Sequence, residues 1–116
     1  MKCPSGQKQN SGNSSTLTLG NFSPTLNIAG STPFNLSGTG TNTITLNGTG
    51  ATVNYNGAAQ QILATTYTNL TLSGTGAKTF PSGTTTVNNV LSIENGTSAN
   101  TFTGTLAYGA AATLQY

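Results

Sequence analysis

The chain has 116 residues with three lysines, one glutamate and no histidine, so only 3% of its side chains carry charge and the formal net charge is +2. Asp, Arg and Trp are absent, and Thr, Gly, Asn and Ser together make up more than half of the sequence. That length fits one domain or a piece of a larger one, and that inventory removes most chemistry before any motif is sought.

General acid–base catalysis needs groups that titrate near the working pH, and Glu94 is the single side-chain carboxylate. A Ser-His-Asp arrangement lacks two of its residue types. Zinc prefers His and Cys ligands, and calcium prefers several carboxylates. The sequence therefore predicts no enzyme, no catalytic residues, no metal site and no cofactor. Two of the three lysines, Lys2 and Lys8, lie close to the N-terminus. No basic stripe remains to neutralise phosphates, so nucleic acid is not an expected partner. No window has the length and apolarity of a membrane span.

Residues 1–15 are polar and read as a flexible N-terminal tail. They contain no apolar run of a signal peptide, and Cys3 reads as an unpaired, incidental thiol. From residue 16 to residue 116 the apolar residues come as apolar-x-apolar doublets. In chain order these are Leu17/Leu19, Leu26/Ile28, Phe34/Leu36, Ile44/Leu46, Val53/Tyr55, Leu70/Leu72, Leu91/Ile93, Leu106/Tyr108 and Leu114/Tyr116. A period of two places both members on one face of a strand. Ile62, Phe80 and Phe102 stand as single anchors between doublets. Turn signals separate the strands, as in Ser37-Gly38-Thr39-Gly40, Asn47-Gly48-Thr49-Gly50 and Ser73-Gly74-Thr75-Gly76. No window has a helical period.

Two repeats are visible. A short unit, apolar-x-Leu-(Ser/Asn)-Gly-Thr-Gly, begins at Phe34, Ile44 and Leu70. A longer one starts near residue 51 and restarts near residue 112, where Ala51-Thr-Val-Asn-Tyr55 returns as Ala112-Thr-Leu-Gln-Tyr116. Units too small to bury an apolar face alone are expected to stack on their neighbours. The expected fold class is all-β, a parallel β-solenoid (β-helix) with about 18–22 residues per coil. The alternative is an antiparallel β-sandwich completed by a donor strand.

The segment from Tyr55 to Phe80, with Tyr55-Asn-Gly, Tyr67-Thr-Asn-Leu-Thr-Leu-Ser-Gly-Thr-Gly76 and Lys78-Thr79, continues into Thr84-Thr-Thr-Val-Asn-Asn-Val-Leu-Ser-Ile93. Over about residues 34–116 this order of elements resembles repeats of large secreted or cell-surface bacterial proteins of Bacteroidetes type. Those repeats are adhesin-like or autotransporter-passenger-like β-helices. The resemblance implies an extracellular or cell-surface structural module, a stalk or a self-assembling filament segment, whose partner is itself. Alternative expectations are an adhesin-type module for surface glycans and a donor-strand, pilin-like subunit.

Sharper readings attach to particular residues. Six Asn-x-Ser/Thr sequons, at Asn13, Asn21, Asn35, Asn47, Asn69 and Asn95, are formal glycan acceptors, although a composition this rich in Asn, Ser and Thr produces them by chance. Tyr55, Tyr67, Tyr108 and Tyr116 read as half-buried rim residues with hydroxyls in water, or as a sugar-binding platform. Lys78 reads as a surface charge, and Glu94 as a solvated turn residue. Thr pairs at Thr16/Thr18, Thr41/Thr43/Thr45 and Thr101/Thr103 suit an exposed strand face. Their uneven spacing along the chain argues against the regular rank that binding to ice requires.

Overall fold

The structure, a computed structural model, describes residues 15–34, 40–94 and 100–116. The polar tail up to residue 14, Leu36 of one doublet, Cys3 and the sequons at Asn13, Asn35 and Asn95 lie outside the described residues. Eleven strands follow in chain order: β1 (Ser15–Thr18), β2 (Thr25–Ile28), β3 (Asn42–Thr45), β4 (Thr52–Tyr55), β5 (Gln60–Gln61), β6 (Thr66–Leu72), β7 (Lys78–Phe80), β8 (Thr84–Ile93), β9 (Thr101–Phe102), β10 (Thr105–Tyr108) and β11 (Thr113–Gln115). The described residues are all-β, without a helix.

Every ladder among these strands is parallel. The antiparallel sandwich considered as an alternative would need hairpin ladders, and the described residues contain none. A six-stranded sheet has the order β10-β8-β6-β4-β2, with β11 also on β8. A second sheet pairs β1 with β3, and a third has the order β5-β7-β9. The two-stranded sheet is linked to β6 through the parallel bridge between Leu46 and Tyr67.

Register turns the sequence doublets into columns. Leu26 pairs with Val53, Val53 with Leu70, Leu70 with Leu91 and Leu91 with Leu114. Val53, Leu70 and Leu72 are fully buried, and Leu91 nearly so. The single anchors form a column too: Phe80 pairs with Phe102, and the rings stack with centroids 4.5 Å apart. The long sequence repeat resolves into three steps of unequal length. Thr52 pairs with Asn69, Asn69 with Val90 and Val90 with Thr113, each step taking more chain than the one before. The step from β2 to β4, in which Thr25 pairs with Thr52, takes more chain than any of these.

The corners between ladders absorb this unevenness. One corner, after Leu46 and before Thr52, is turned by the loop 47–50, whereas β6 crosses the same corner with a bulge between Tyr67 and Asn69. β8 crosses it at Asn88 and Asn89, both exposed. Corners also let backbones stack closely. Gly74 has φ +81°, and a Cβ there would stand 2.2 Å from the Gly57 carbonyl oxygen of the preceding tier. Only glycine meets both conditions.

Outward polar side chains tie tiers together. Asn54 Nδ2 donates to Asn27 Oδ1 at 3.2 Å, Ser73 Oγ to Asn54 Oδ1 at 2.7 Å, and Asn89 Nδ2 to Asn69 Oδ1 at 2.8 Å. An inward position of β8 breaks the apolar rule. Thr85 is 1% exposed, and among the described residues its hydroxyl has no hydrogen-bond partner. A buried hydroxyl without a partner costs on the order of 1–3 kcal/mol. Thr85→Val, which keeps the shape, is therefore expected to raise the unfolding free energy by about 1 kcal/mol, read as a higher urea midpoint with an unchanged slope.

Candidate functional site

Three arrangements concentrate what chemistry the chain has. The first is a row of polar residues at one position of the third sheet. Gln60 pairs with Lys78, and both are buried. Gln60 Nε2 donates to the carbonyls of Ile28 at 2.8 Å and Gly30 at 2.9 Å, while its Oε1 accepts from Gly57 N–H at 2.8 Å. Lys78 repeats the device one tier on. Its Nζ donates to Gly57 O and Ala58 O, both at 2.9 Å, and to Gly76 O at 3.3 Å. Asn100 continues the row, with Oδ1 accepting from Lys78 N–H at 3.1 Å. Gln60 and Lys78 thus fasten their own tiers to corner carbonyls of the tier before, and Asn100 reaches back to the Lys78 backbone.

Lys78 is therefore not the surface charge that the sequence suggests. It is fully buried, and burial pushes its amine below the ordinary lysine value. A polar residue flanked by Ala77 and Thr79 gives no periodic signal of burial. The one hint is that Gln60-Gln61-Ile62 and Lys78-Thr79-Phe80 share a pattern of two polar residues before an apolar anchor.

The second arrangement joins Tyr55 and Tyr67. Both are fully buried, with rings edge-on and centroids 6.5 Å apart. Leu63 N–H donates to Tyr55 Oη at 3.1 Å, and Tyr67 Oη–H donates to Leu63 O at 2.7 Å. The hydroxyls stand 2.9 Å apart, so Tyr55 supplies the remaining donor and a closed ring of three hydrogen bonds results. Burial raises both phenols, and the neighbouring Tyr55 raises Tyr67 further. These two rings are not rim residues with wet hydroxyls, and they present no face to a sugar. Tyr108 and Tyr116 are exposed, at 48% and 92%.

The third arrangement is the end of the stack beyond β8. Leu91, Ile93, Leu106, Tyr108, Leu114 and Tyr116 line an open concavity of about 370 Å³. Of these, Leu106, Tyr108, Leu114 and Tyr116 are the last described members of the inward columns, with no described strand above them. A smaller hollow of about 180 Å³ lies at the side, among Pro33, Phe34, Ile62, Leu63 and Pro81.

Comparison with protein-family models, with curated proteins and with solved structures finds no match to this chain. The site must therefore be read from its own chemistry. Among the described residues no three His, Cys, Asp or Glu side chains come together as metal ligands. Glu94 is exposed, and its Oε1 accepts from Ser92 Oγ at 2.8 Å. Of the described sequons, Asn69 commits its Nδ2, the atom a glycan would take, to the carbonyls of Gly50 and Ala51 at 3.3 and 3.1 Å. Asn21 accepts from Thr49 N–H at 2.8 Å, and Asn47 is exposed.

Proposed function

We propose that this chain is a non-catalytic structural module, a parallel β-solenoid segment that lengthens, stiffens or assembles an extracellular or cell-surface protein. Its partners on this reading are neighbouring repeats or further copies of itself. The observation that supports it best is the column running through Leu26, Val53, Leu70, Leu91 and Leu114. One inward position is served by five successive parallel strands, which is how stacked repeats share a core. The row of Gln60, Lys78 and Asn100 supports it again, because its bonds run mainly between tiers. The resemblance to surface-protein repeats supports the location.

A sugar-binding reading loses half of its aromatic platform with Tyr55 and Tyr67 inside the core. A donor-strand reading needs antiparallel edges, and the ladders described are parallel.

Five tiers at the usual spacing of about 4.8 Å between parallel strands make the stack roughly 24 Å deep along its stacking direction. A head-to-tail contact between its two ends does not close on itself, so it propagates as a filament. Negative-stain microscopy at rising protein concentration is expected to show rods that lengthen by roughly 24 Å per copy, five tiers at about 4.8 Å each. Leu114→Lys, which places a charge on the apolar end, is expected to leave single particles. Wild-type particles that stay single at every concentration would remove self-assembly and leave only the role of a spacer within a longer chain.

A further inference from the structure

Register brings together threonines that the sequence leaves scattered. On β1 and β3, Thr16 pairs with Thr43 and Thr18 with Thr45. The Leu46–Tyr67 bridge places Thr66 beside Thr45 one residue earlier on each strand, and Thr66 pairs with Thr86. Thr84 pairs with Thr105, and Thr86 with Ala107. One outward column therefore reads Thr18, Thr45, Thr66, Thr86, Ala107. The column beside it reads Thr16, Thr43, then Thr84 and Thr105, interrupted at the third tier, where Ala64 lies in a bend. The intervening residues Ile44, Leu46, Tyr67, Thr85 and Val87 face inward and are buried or half-buried. The threonines of both columns are exposed or half-exposed, and among the described residues none of their hydroxyls is engaged by another group of the protein.

We propose that this two-column threonine face binds crystalline water, that is, a face of ice. Parallel strands set the columns' rows about 4.8 Å apart, and residues two apart on a strand lie about 6.6 Å apart. That grid has the order of the oxygen repeats on prism planes of hexagonal ice. Threonine is stiff at χ1, so hydroxyls and methyls hold their places in the grid before a ligand arrives, and little ordering cost falls on binding. The face carries no charge to hold a disordered ion atmosphere. It also lacks the aromatic and arginine anchors that mark protein partners. The uneven sequence spacing that argues against a rank is taken up at the corners, and the tiers themselves are in register. This inference rests on the pairings alone and stands apart from the structural role proposed above.

The test uses the whole chain in supercooled water. Wild-type protein is expected to shape single ice crystals, to slow ice recrystallisation and to enter a slowly growing ice front. Thr45→Tyr and Thr86→Tyr, at half-exposed strand positions where tyrosine is well tolerated, are expected to lower recrystallisation inhibition about tenfold or more, equivalent to about 1.4 kcal/mol or more of binding. Thr25→Tyr, on the neighbouring ladder, is expected to leave it unchanged. Circular dichroism confirms that each variant is folded. A wild-type chain without ice shaping or recrystallisation inhibition overturns the proposal. Equal loss in Thr25→Tyr also overturns it, since the effect then does not belong to this face. Retention on insoluble cellulose or chitin that Thr45→Tyr abolishes, without activity on ice, reassigns the face to a crystalline polysaccharide and likewise overturns it.

Discussion

Lys78→Met is expected to lower the unfolding free energy by about 2 kcal/mol, the scale of a hydrogen-bonded charge lost from a buried site. Methionine keeps most of the stem's packing but offers no donor. The carbonyls of Gly57, Ala58 and Gly76 then lose the ammonium that holds two successive corners together. Lys78→Gln is the informative companion. Gln60, its register partner, already performs the same task one tier earlier with a carboxamide. Glutamine at 78 should therefore recover about half of the loss, since neutral hydrogen bonds are worth roughly half of charged ones. Urea unfolding of the three proteins decides the matter. A methionine variant as stable as wild type would mean that the amine is held by water and not by the corners.

The second large effect is alkaline. Tyr55 and Tyr67 have folded-state values raised above the ordinary 10.0, so they stay neutral in the fold where the unfolded chain ionises. Their contribution is fully present below pH 10 and is lost as pH rises above it. Each group removes about 1.4 kcal/mol per pH unit once the unfolded form is deprotonated. Lys78 acts in the opposite sense. Its lowered value favours the folded state as pH climbs toward the ordinary 10.5, and beyond that it adds nothing further. Two phenols outweigh one amine, so thermal scans from neutral pH upward should record a melting temperature that falls steeply above pH 10. In Tyr67→Phe, Leu63 O loses its donor and Tyr55 Oη loses its acceptor. Two hydrogen bonds broken inside a core should cost about 2 kcal/mol at neutral pH. The same variant should roughly halve the alkaline slope, because one of the two raised phenols is gone. A slope that Tyr67→Phe leaves intact would show that other groups drive the alkaline loss.

Much of the core is legible in the sequence. Val53/Tyr55, Leu70/Leu72 and Ile44/Leu46 announce inward positions because a strand's period of two is written directly in apolar residues. The strand class follows from the same doublets and from the Gly-rich turns between them. What stays hidden depends on register. Nothing local to Lys78 or Gln60 says that a carbonyl of another tier waits within reach. Thr84, Thr85 and Thr86 look equivalent in a run of three, yet the pleat sends Thr85 inside and its neighbours out. Tyr55 and Tyr67 each suit a rim until the fold brings their hydroxyls within 2.9 Å. The threonine face is the extreme case. Its first column steps by 27 residues and then by 21, 20 and 21, and the long first step together with the gap at Ala64 hides the near-regular period that follows.

The corners between ladders have a consequence for the length of a unit. One of them is crossed by a loop after Leu46 and by a mere bulge in β6, yet the columns on either side keep their alignment. Insertions and deletions at such a point leave the core undisturbed. A unit of this kind can change in length at a corner and still sit on its neighbour, because the column and not the spacing along the chain carries the packing.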